Sequence, residues 1–506
     1  MTLDERPDEA LERPLVSDSD DDTYLDASAS STDVEDGRGE RRVDDLYVDD
    51  AELLRNDASN DDAVTATSGD AGDVRTTLAL WNCMVGSSVL AAPWAFTESG
   101  LALGAALAVF IGTMMAYTST LVLRYGVRGG HDDISAMCGA HLGRWARVGG
   151  NVAMALMLAQ TVVVFDMMLS TSVYGIVKGF AGLRRERTAA VESALSTLMA
   201  ISSNSTNSTN STNATSWATC TNAYRDFAKC WNPFTAVVVT AIVLLLLGGV
   251  RNLDGFVAMS VAGPFFMTYL IFFIIFKSVI AEKPVAPLAP LASFSTFAKT
   301  TGFLTSCTFS HHAIIPVCRA NRNSRNNARN LLVAYALTLI SYLVPAVAGN
   351  FSAAYVAVRS GPDGSSRAAN FLRVYPPSDY YTLSAHAAIT VQFLTMVPLL
   401  LYILRVQVSA LIPGVPAKYE SIFSFVINVS VIALGSFCAA HPRIDIGFIL
   451  SKAGGIFGLI FAYTAPVLVH IFGRSRPRNG HPMWNHAIHG AIFAVGLAVA
   501  IAQFVQ

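Results

Sequence analysis

Residues 76–98, TTLALWNCMVGSSVLAAPWAFTE, make an apolar stretch long enough to cross a bilayer, but not as one continuous helix. Gly86, Ser87 and Ser88 stand at its middle, and Pro93 follows seven residues after the glycine. Glycine loosens the backbone and proline lacks an N–H, so this spacing predicts a helix that breaks halfway. In hydrocarbon a freed peptide group must find another partner, so a break persists only when it is buried in protein or lines a polar cavity. Taken alone, the stretch fits both a kinked packing helix and a broken helix beside a cavity.

Ten further apolar spans follow, at about 101–123, 148–178, 233–250, 256–280, 300–318, 331–350, 380–404, 421–440, 446–472 and 485–504, which brings the expected count to eleven. Only 14% of the chain is charged, against roughly 25% in soluble domains, and the mean hydropathy is +0.44. The fold class is all-α and integral to a membrane. No P-loop, nucleophile elbow, HExxH or dinucleotide fingerprint occurs, and the spans leave no room for a soluble catalytic domain, so an enzyme is not expected. A nucleic-acid partner is not expected either.

Charge divides the chain in two. Residues 1–73 hold 24 acidic and 6 basic residues, net −18, while 74–506 hold 13 acidic and 29 basic, net +16. The acidic part is rich in Asp, Ser and Gly and cannot bury enough surface to offset its ordering entropy, so it reads as a disordered cytosolic tail ahead of a membrane domain at 74–506. Its start offers no secretory signal peptide, which leaves membrane entry to the first span. Within it, LYVDDAELL places Asp49 four residues before Leu53 and Leu54, the acidic dileucine pattern read by vesicle-coat adaptors; a plain solvated or partner-docking segment is the alternative. Short basic loops carrying Arg124, Arg128, Arg319, Arg322, Arg325 and Arg329 fit the cytosolic side. The segment 181–232 then falls in the lumen, as a loop with tandem sequons at Asn204, Asn207, Asn210 and Asn213. Cys220 and Cys230, the two cysteines of that loop, are expected to pair in an oxidising compartment.

A second interrupted span strengthens the cavity reading. KTTGFLTSCTFSHHAIIPV, from Lys299, carries Gly302, a polar centre at 306–312 and Pro316. In a five-plus-five inverted repeat with one extra helix it would be the counterpart of 76–98, and paired interruptions of this kind mark solute and ion sites. Asp166, in VVVFDMMLS, costs about 2.5–3.5 kcal/mol near mid-membrane and so is expected either to serve a cationic substrate group or a proton, or to pair with a nearby hydroxyl or histidine. His311, in the second interruption, could titrate or hydrogen-bond around the break. His481, His486 and His489 lack acids at ligand spacing, so no metal site is expected there.

WNCMVGSSVLAAPW, NARNLLVAYALTLISY, FLTMVPLLLYILRVQ and the region around Tyr463 and Pro466 together resemble the amino acid/auxin permease superfamily, and within it the sodium-coupled neutral amino acid transporters (solute carrier family 38), especially their lysosomal arginine-sensing branch. The resemblance runs from about Arg75 to Gln506. It implies a LeuT-type fold, a substrate site at Met84, Gly86, Ser87 and Ser88, and a cation site at Asn82, Val85 and Thr395; Asp166 and His311 are added as candidate substrate contacts from the residues themselves, not from the resemblance. An amide oxygen, a hydroxyl and freed carbonyls suit a hard cation, but they leave Na⁺ and H⁺ undecided; no other cofactor is implied. Ser87 aligns with a threonine of the lysosomal branch, and Asp166 with an aromatic residue. The implied activity is secondary active amino acid transport in a lysosomal, late endosomal or vacuolar membrane, with the plasma membrane as alternative. The rival is an amino acid-sensing receptor whose tail signals to a cytosolic complex, although the branch's docking segment does not align with 1–73.

Overall fold

A computed structural model describes residues 71–202, 231–250, 262–280, 289–361, 368–412, 416–441, 444–473 and 483–505. The sorting motif (Asp49, Leu53, Leu54), the four sequons and the proposed Cys220–Cys230 pair lie outside these segments. The first stretch does break. Helix α1, Asp73–Met84, stops at Val85, a 3-10 turn covers Ser87–Ala91, and α2, Ala92–Ser99, leaves at 47° to α1. Pro93 sits in the first turn of α2, where its missing N–H leaves no intrahelical bond unmade.

Gly100, in the left-handed region at φ 84°, turns the chain into α3, Leu101–Val122, whose end winds into a π-helical turn at Leu123–Val127. Asp133 then caps a short helix, α4, Ile134–Leu142, by accepting Ala136 N–H at 2.7 Å. Helix α5, Arg144–Ser202, has 59 residues and differs from the expectation of a loop opening at 181. At 1.5 Å per residue it extends about 88 Å, far beyond one bilayer. The physical reason is its composition after Gly182: Arg, Glu, Ala and Leu dominate LRRERTAAVESAL, and these are strong helix formers that need no packing surface. From Glu186 to Thr197 that extension is exposed.

The remaining elements are α6, Pro233–Gly248; α7, Gly263–Ile280; the pair α8, Phe297–Cys307, and α9, His311–Arg319; α10, Asn327–Asn350; α11, Ala353–Arg359; α12, Tyr380–Leu411; α13, Ala417–Ala440; α14, Ile446–Phe457; α15, Ala465–Phe472, joined to α14 through a π-helical turn at Gly458–Thr464; and α16, Met483–Val505. Among the described residues eight helices are long and apolar enough to cross a membrane, and the bent pair α1/α2 makes a ninth. Helix α6 is apolar but has 16 residues, and α8 and α9 are each too short to span alone.

Packing sorts these helices into two sets. Helix α10 lies against α1, α2, α3 and α7, and α8 touches α2 and α3, so both broken spans share one group. Helix α5 instead runs along α12, α13 and α6. Helix α14 bridges them through α8 on one side and α5 on the other. The α8–α14 crossing is in backbone contact, because a Cβ on Gly454 would run into Gly302. Phe110, Leu246, Phe265 and Phe272 are exposed on the outer faces, an arrangement that suits lipid and not water.

Candidate functional site

The break in the first span is held open by one tyrosine from α10. Tyr342, fully buried, donates its hydroxyl at 2.9 Å to Met84 C=O, which also accepts Gly86 N–H at 3.2 Å where α1 ends. The same hydroxyl lies 2.6 Å from Ser88 Oγ. Both ends of the unwound segment are thus fixed to α10. Thr338, one turn earlier, donates to Met84 Sδ at 3.7 Å. Val85 and Gly86 adopt non-helical backbone between these ties. Ser87 and Val85 are buried, whereas Gly86 and Ser88 keep partial exposure in the middle of the bundle. A side chain built on Gly86 would meet nothing within 4 Å. Free space therefore lies against the unwound backbone.

The second span interrupts between Cys307 and His311. Its polar centre is tied to α3 and α10 through a chain of hydroxyls. Thr118 Oγ1 is 2.9 Å and Ser119 Oγ 3.4 Å from His311 Nε2; Ser119 Oγ and Ser310 Oγ are 2.7 and 3.1 Å from Tyr335 Oη. His311 is fully buried, and this placement makes it a tie across the second break. The two breaks meet through aromatic edges: Trp94 to Phe303 at 6.3 Å and Phe303 to Tyr342 at 6.2 Å between ring centres.

Asn82 and Thr395 share no hydrogen bond. Thr395 Oγ1 donates back to Gln392 C=O at 2.8 Å, a bond within its own helix. Asn82 lies instead near Gln392, with Gly263 of α7 packed against both: a Cβ on Gly263 would meet Asn82 Nδ2 at 2.9 Å, Gln392 Nε2 at 3.0 Å and Asn82 Oδ1 at 3.1 Å. Asn82 Oδ1 and Gln392 Oε1 are buried without a donor among the described residues. Two buried amide oxygens left unpaired carry a desolvation cost of about 1–3 kcal/mol each, which a cation removes. Gln392 escaped the sequence reading. Its signal was present, a glutamine in an apolar span one turn before Thr395, but its partner lies 310 residues away.

Asp166 is fully buried and bonded within the α5–α13 contact. Ser436 Oγ donates to its Oδ2 at 3.1 Å and Ser170 Oγ to its Oδ1 at 3.4 Å. These are the hydroxyl partners of the structural alternative, and the structure does not bring Asp166 together with the residues of either break. Among the described residues no cluster of three His, Cys, Asp or Glu side chains could hold a metal ion.

Comparison with known proteins agrees with this architecture. A family model described as transmembrane amino acid transporter protein matches residues 71–506. The chain is 26% identical over 460 residues to neutral amino acid transporter 9 of Xenopus tropicalis, covering 86% of this chain and 80% of the relative. It is similarly 26% identical over 474 residues to a sodium-coupled neutral amino acid transporter 9 homolog of Caenorhabditis elegans, with 87% and 74% covered. Against neutral amino acid transporter 9 of Rattus norvegicus the figures are 26% over 449 residues, with 85% and 78% covered.

Proposed function

Because the chain belongs to the transmembrane amino acid transporter family, we propose that it is a secondary active transporter of neutral amino acids or arginine, working by alternating access in a lysosomal or vacuolar membrane. The observation that carries this reading is the open space against Gly86, flanked by fixed backbone at Met84 and Ser88. The N–H groups at the start of the 3-10 turn suit a substrate carboxylate, since a helix N-terminus presents unpaired donors and the positive end of a dipole. The carbonyls at the end of α1 suit the amino group.

Counting α6 and the pair α8/α9 with the nine apolar spans gives eleven crossings, and the two packing sets correspond to the moving bundle and the scaffold of a LeuT-type five-plus-five inverted repeat. Asn82 and Gln392, with Thr395 one turn on, form the site for a coupling Na⁺; a proton is the alternative ion. A receptor role has one observation in its favour. Ala71, the first described residue, pairs with the α9–α10 loop, donating its N–H to Ala320 C=O at 3.1 Å and accepting from Arg322 N–H at 2.8 Å, so a partner bound to the tail would pull on α1.

Uptake of a labelled amino acid panel into proteoliposomes, with Na⁺ and pH gradients imposed separately, tests the proposal. Accumulation of at least one amino acid under one gradient, abolished by Gly86→Trp, is expected. Absence of uptake under both gradients, with tail-partner capture that depends on added amino acid, would replace transport by the receptor reading.

A further inference from the structure

Helix α5 meets its surroundings along one exposed apolar stripe. Trp145, Val148, Val152 and Leu156 recur at spacings of three and four residues, so they share a helix face, and all four are exposed. At 1.5 Å per residue the stripe runs about 16 Å, and its composition suits hydrocarbon. It ends in Trp145, 84% exposed, with Arg144 before it and Arg147 after it, both exposed as well. Tryptophan bounded by cations is the composition of a membrane–water boundary. This end of the stripe therefore fits the level of lipid headgroups.

Three arginines gather there without counter-charge. Arg128, Arg144 and Arg147 are exposed and have no ion pair or hydrogen bond among the described residues. The rings of His131 and His141, 5.5 Å apart, bring the loop after Arg128 to the end of α4, and Gly143, at φ 101°, turns the chain from there into Arg144. The stem of Arg147 lies against Gly139 of α4, where a Cβ would come within 2.8 Å of it, so α4 and α5 both border the cluster. The two carboxylates of the same loop are already engaged. Asp132 pairs with Arg319 at 2.6 Å, and Asp133 accepts Ala136 N–H at 2.7 Å as the cap of α4. Arg144 and Arg147 also stand in the first turn of α5, at the positive end of its dipole, where an external anion relieves an unfavourable charge. We propose that Arg128, Arg144 and Arg147 bind the headgroup of an anionic phospholipid, with its acyl chains along the stripe from Trp145 to Leu156. Guanidinium groups take phosphate oxygens in paired hydrogen bonds, and basic clusters beside a membrane helix attract anionic lipids. Arg319, at the end of α9, also donates to His131 C=O at 3.1 Å, so the occupant would sit beside the loop that holds the second interrupted span.

The probe is dioleoyl phosphatidylinositol 4-phosphate, titrated into the purified full chain in detergent and followed by native mass spectrometry, with dioleoyl phosphatidylcholine for comparison. Retention of the anionic lipid at a concentration about tenfold or more lower than the zwitterionic one is expected. Arg144→Gln with Arg147→Gln is expected to weaken it by about tenfold or more, and Arg128→Gln, on a separate element, to weaken it as well. Arg184→Gln with Arg187→Gln removes the same charge further along α5 and is expected to leave retention unchanged. Equal retention of the two lipids, equal loss in the two double variants, or no loss in Arg128→Gln and in Arg144→Gln with Arg147→Gln would each overturn the assignment. Soluble inositol 1,4-bisphosphate binding as tightly as the lipid would also overturn it, because the stripe would then contribute nothing. None of these readings depends on amino acid transport at Gly86, which stands or falls on uptake alone.

Discussion

Gly263 lacks a side chain at the one point where α7 comes closest to Asn82 and Gln392, and the consequence is testable atom by atom. Gly263→Ala puts a methyl within 3.1 Å of both amides and must displace them. If they hold the coupling ion, the concentration of Na⁺ giving half-maximal uptake rises by about tenfold, roughly 1.4 kcal/mol of lost binding. Gln392→Leu separates a binding role from a packing role. A glutamine kept for packing would cost stability when replaced, whereas removal of an unpaired buried carbonyl relieves up to about 1–3 kcal/mol. The melting temperature of the Gln392→Leu protein without Na⁺ is therefore expected to match or exceed wild type, with stabilisation by Na⁺ lost; a lower melting temperature with stabilisation retained would assign Gln392 to packing. At this scale the sequence was informative about residues whose type was out of place in hydrocarbon, such as Asn82 and Asp166. It was silent about which distant residue each would meet, because that depends on how α7 and α12 are brought to α1. The pairing of Asp166 with Ser436 is of the same kind.

Helix ends carry the predictions at the next scale. Asp73, at the start of α1, accepts from Asn326 Nδ2 at 2.6 Å, Arg329 Nη2 at 3.0 Å, Asn330 Nδ2 at 3.1 Å and Asn321 Nδ2 at 3.3 Å. It clasps α1 to the loop before α10 and to the first turn of α10 itself. Asp73→Ala is expected to speed hydrogen exchange in Asp73–Met84 by about tenfold or more, since it removes all four of these bonds at once; unchanged protection would show that α1 is held elsewhere. Asp379 caps α12 and pairs with Lys277 at 3.1 Å. Partial burial pushes its pKa up, but the hydroxyl and backbone N–H of Thr382 and the Lys277 ammonium outweigh this and hold it below 3.8. A carboxyl with a depressed pKa stabilises above its unfolded value and loses that contribution as pH falls through the folded one. The melting-temperature gap between wild type and Asp379→Ala, a cap worth about 1 kcal/mol, is expected to stay constant from neutral pH to about pH 5 and to close below about pH 4. A gap that shrank between neutral pH and pH 5 would contradict the cap assignment. Elements were largely legible in advance. Gly86 and Pro93 mark the first interruption, one loosening the backbone and the other suiting the first turn of the helix that follows, and the polar run at 306–312 marks the second, whereas Gly302 lies within α8 and serves its close crossing with α14. The extension of α5 to Ser202 was not legible from hydropathy, because a helix with no apolar face leaves no periodic trace.

In the whole molecule, two sets of ties hold opposite ends of the first broken span. At one end Asp73 holds α1. At the other, Glu98 pairs with Lys299 at 3.1 Å, Thr300 Oγ1 donates to Ala95 C=O at 2.5 Å, Ser293 N–H donates to Ser99 C=O at 2.6 Å, and Gly447 leaves room only for the Trp94 ring. Under the proposed alternating-access cycle these sets would release in turn, so that the space at Gly86 faces one side and then the other. The charged tie of the second set is weak. The Glu98–Lys299 pair is partly exposed on the lysine side, 38%, and pairs of that kind contribute about 0–1 kcal/mol, weak enough to part during a cycle. A covalent tie at the same point would not part. With the free cysteines Cys83, Cys138, Cys307, Cys318 and Cys438 replaced by serine or alanine, Glu98→Cys with Lys299→Cys and a short bifunctional thiol reagent locks α2 to α8. Uptake is expected to fall by about tenfold or more on cross-linking and to recover with a cleavable reagent and reductant, because gating steps of this kind limit turnover. Substrate binding measured at equilibrium from the opposite side is expected to persist, which separates a blocked gate from a damaged site. Uptake at the uncross-linked rate in fully cross-linked protein would mean that α2 and α8 move as one body, and would transfer the moving boundary to the α5–α12 face.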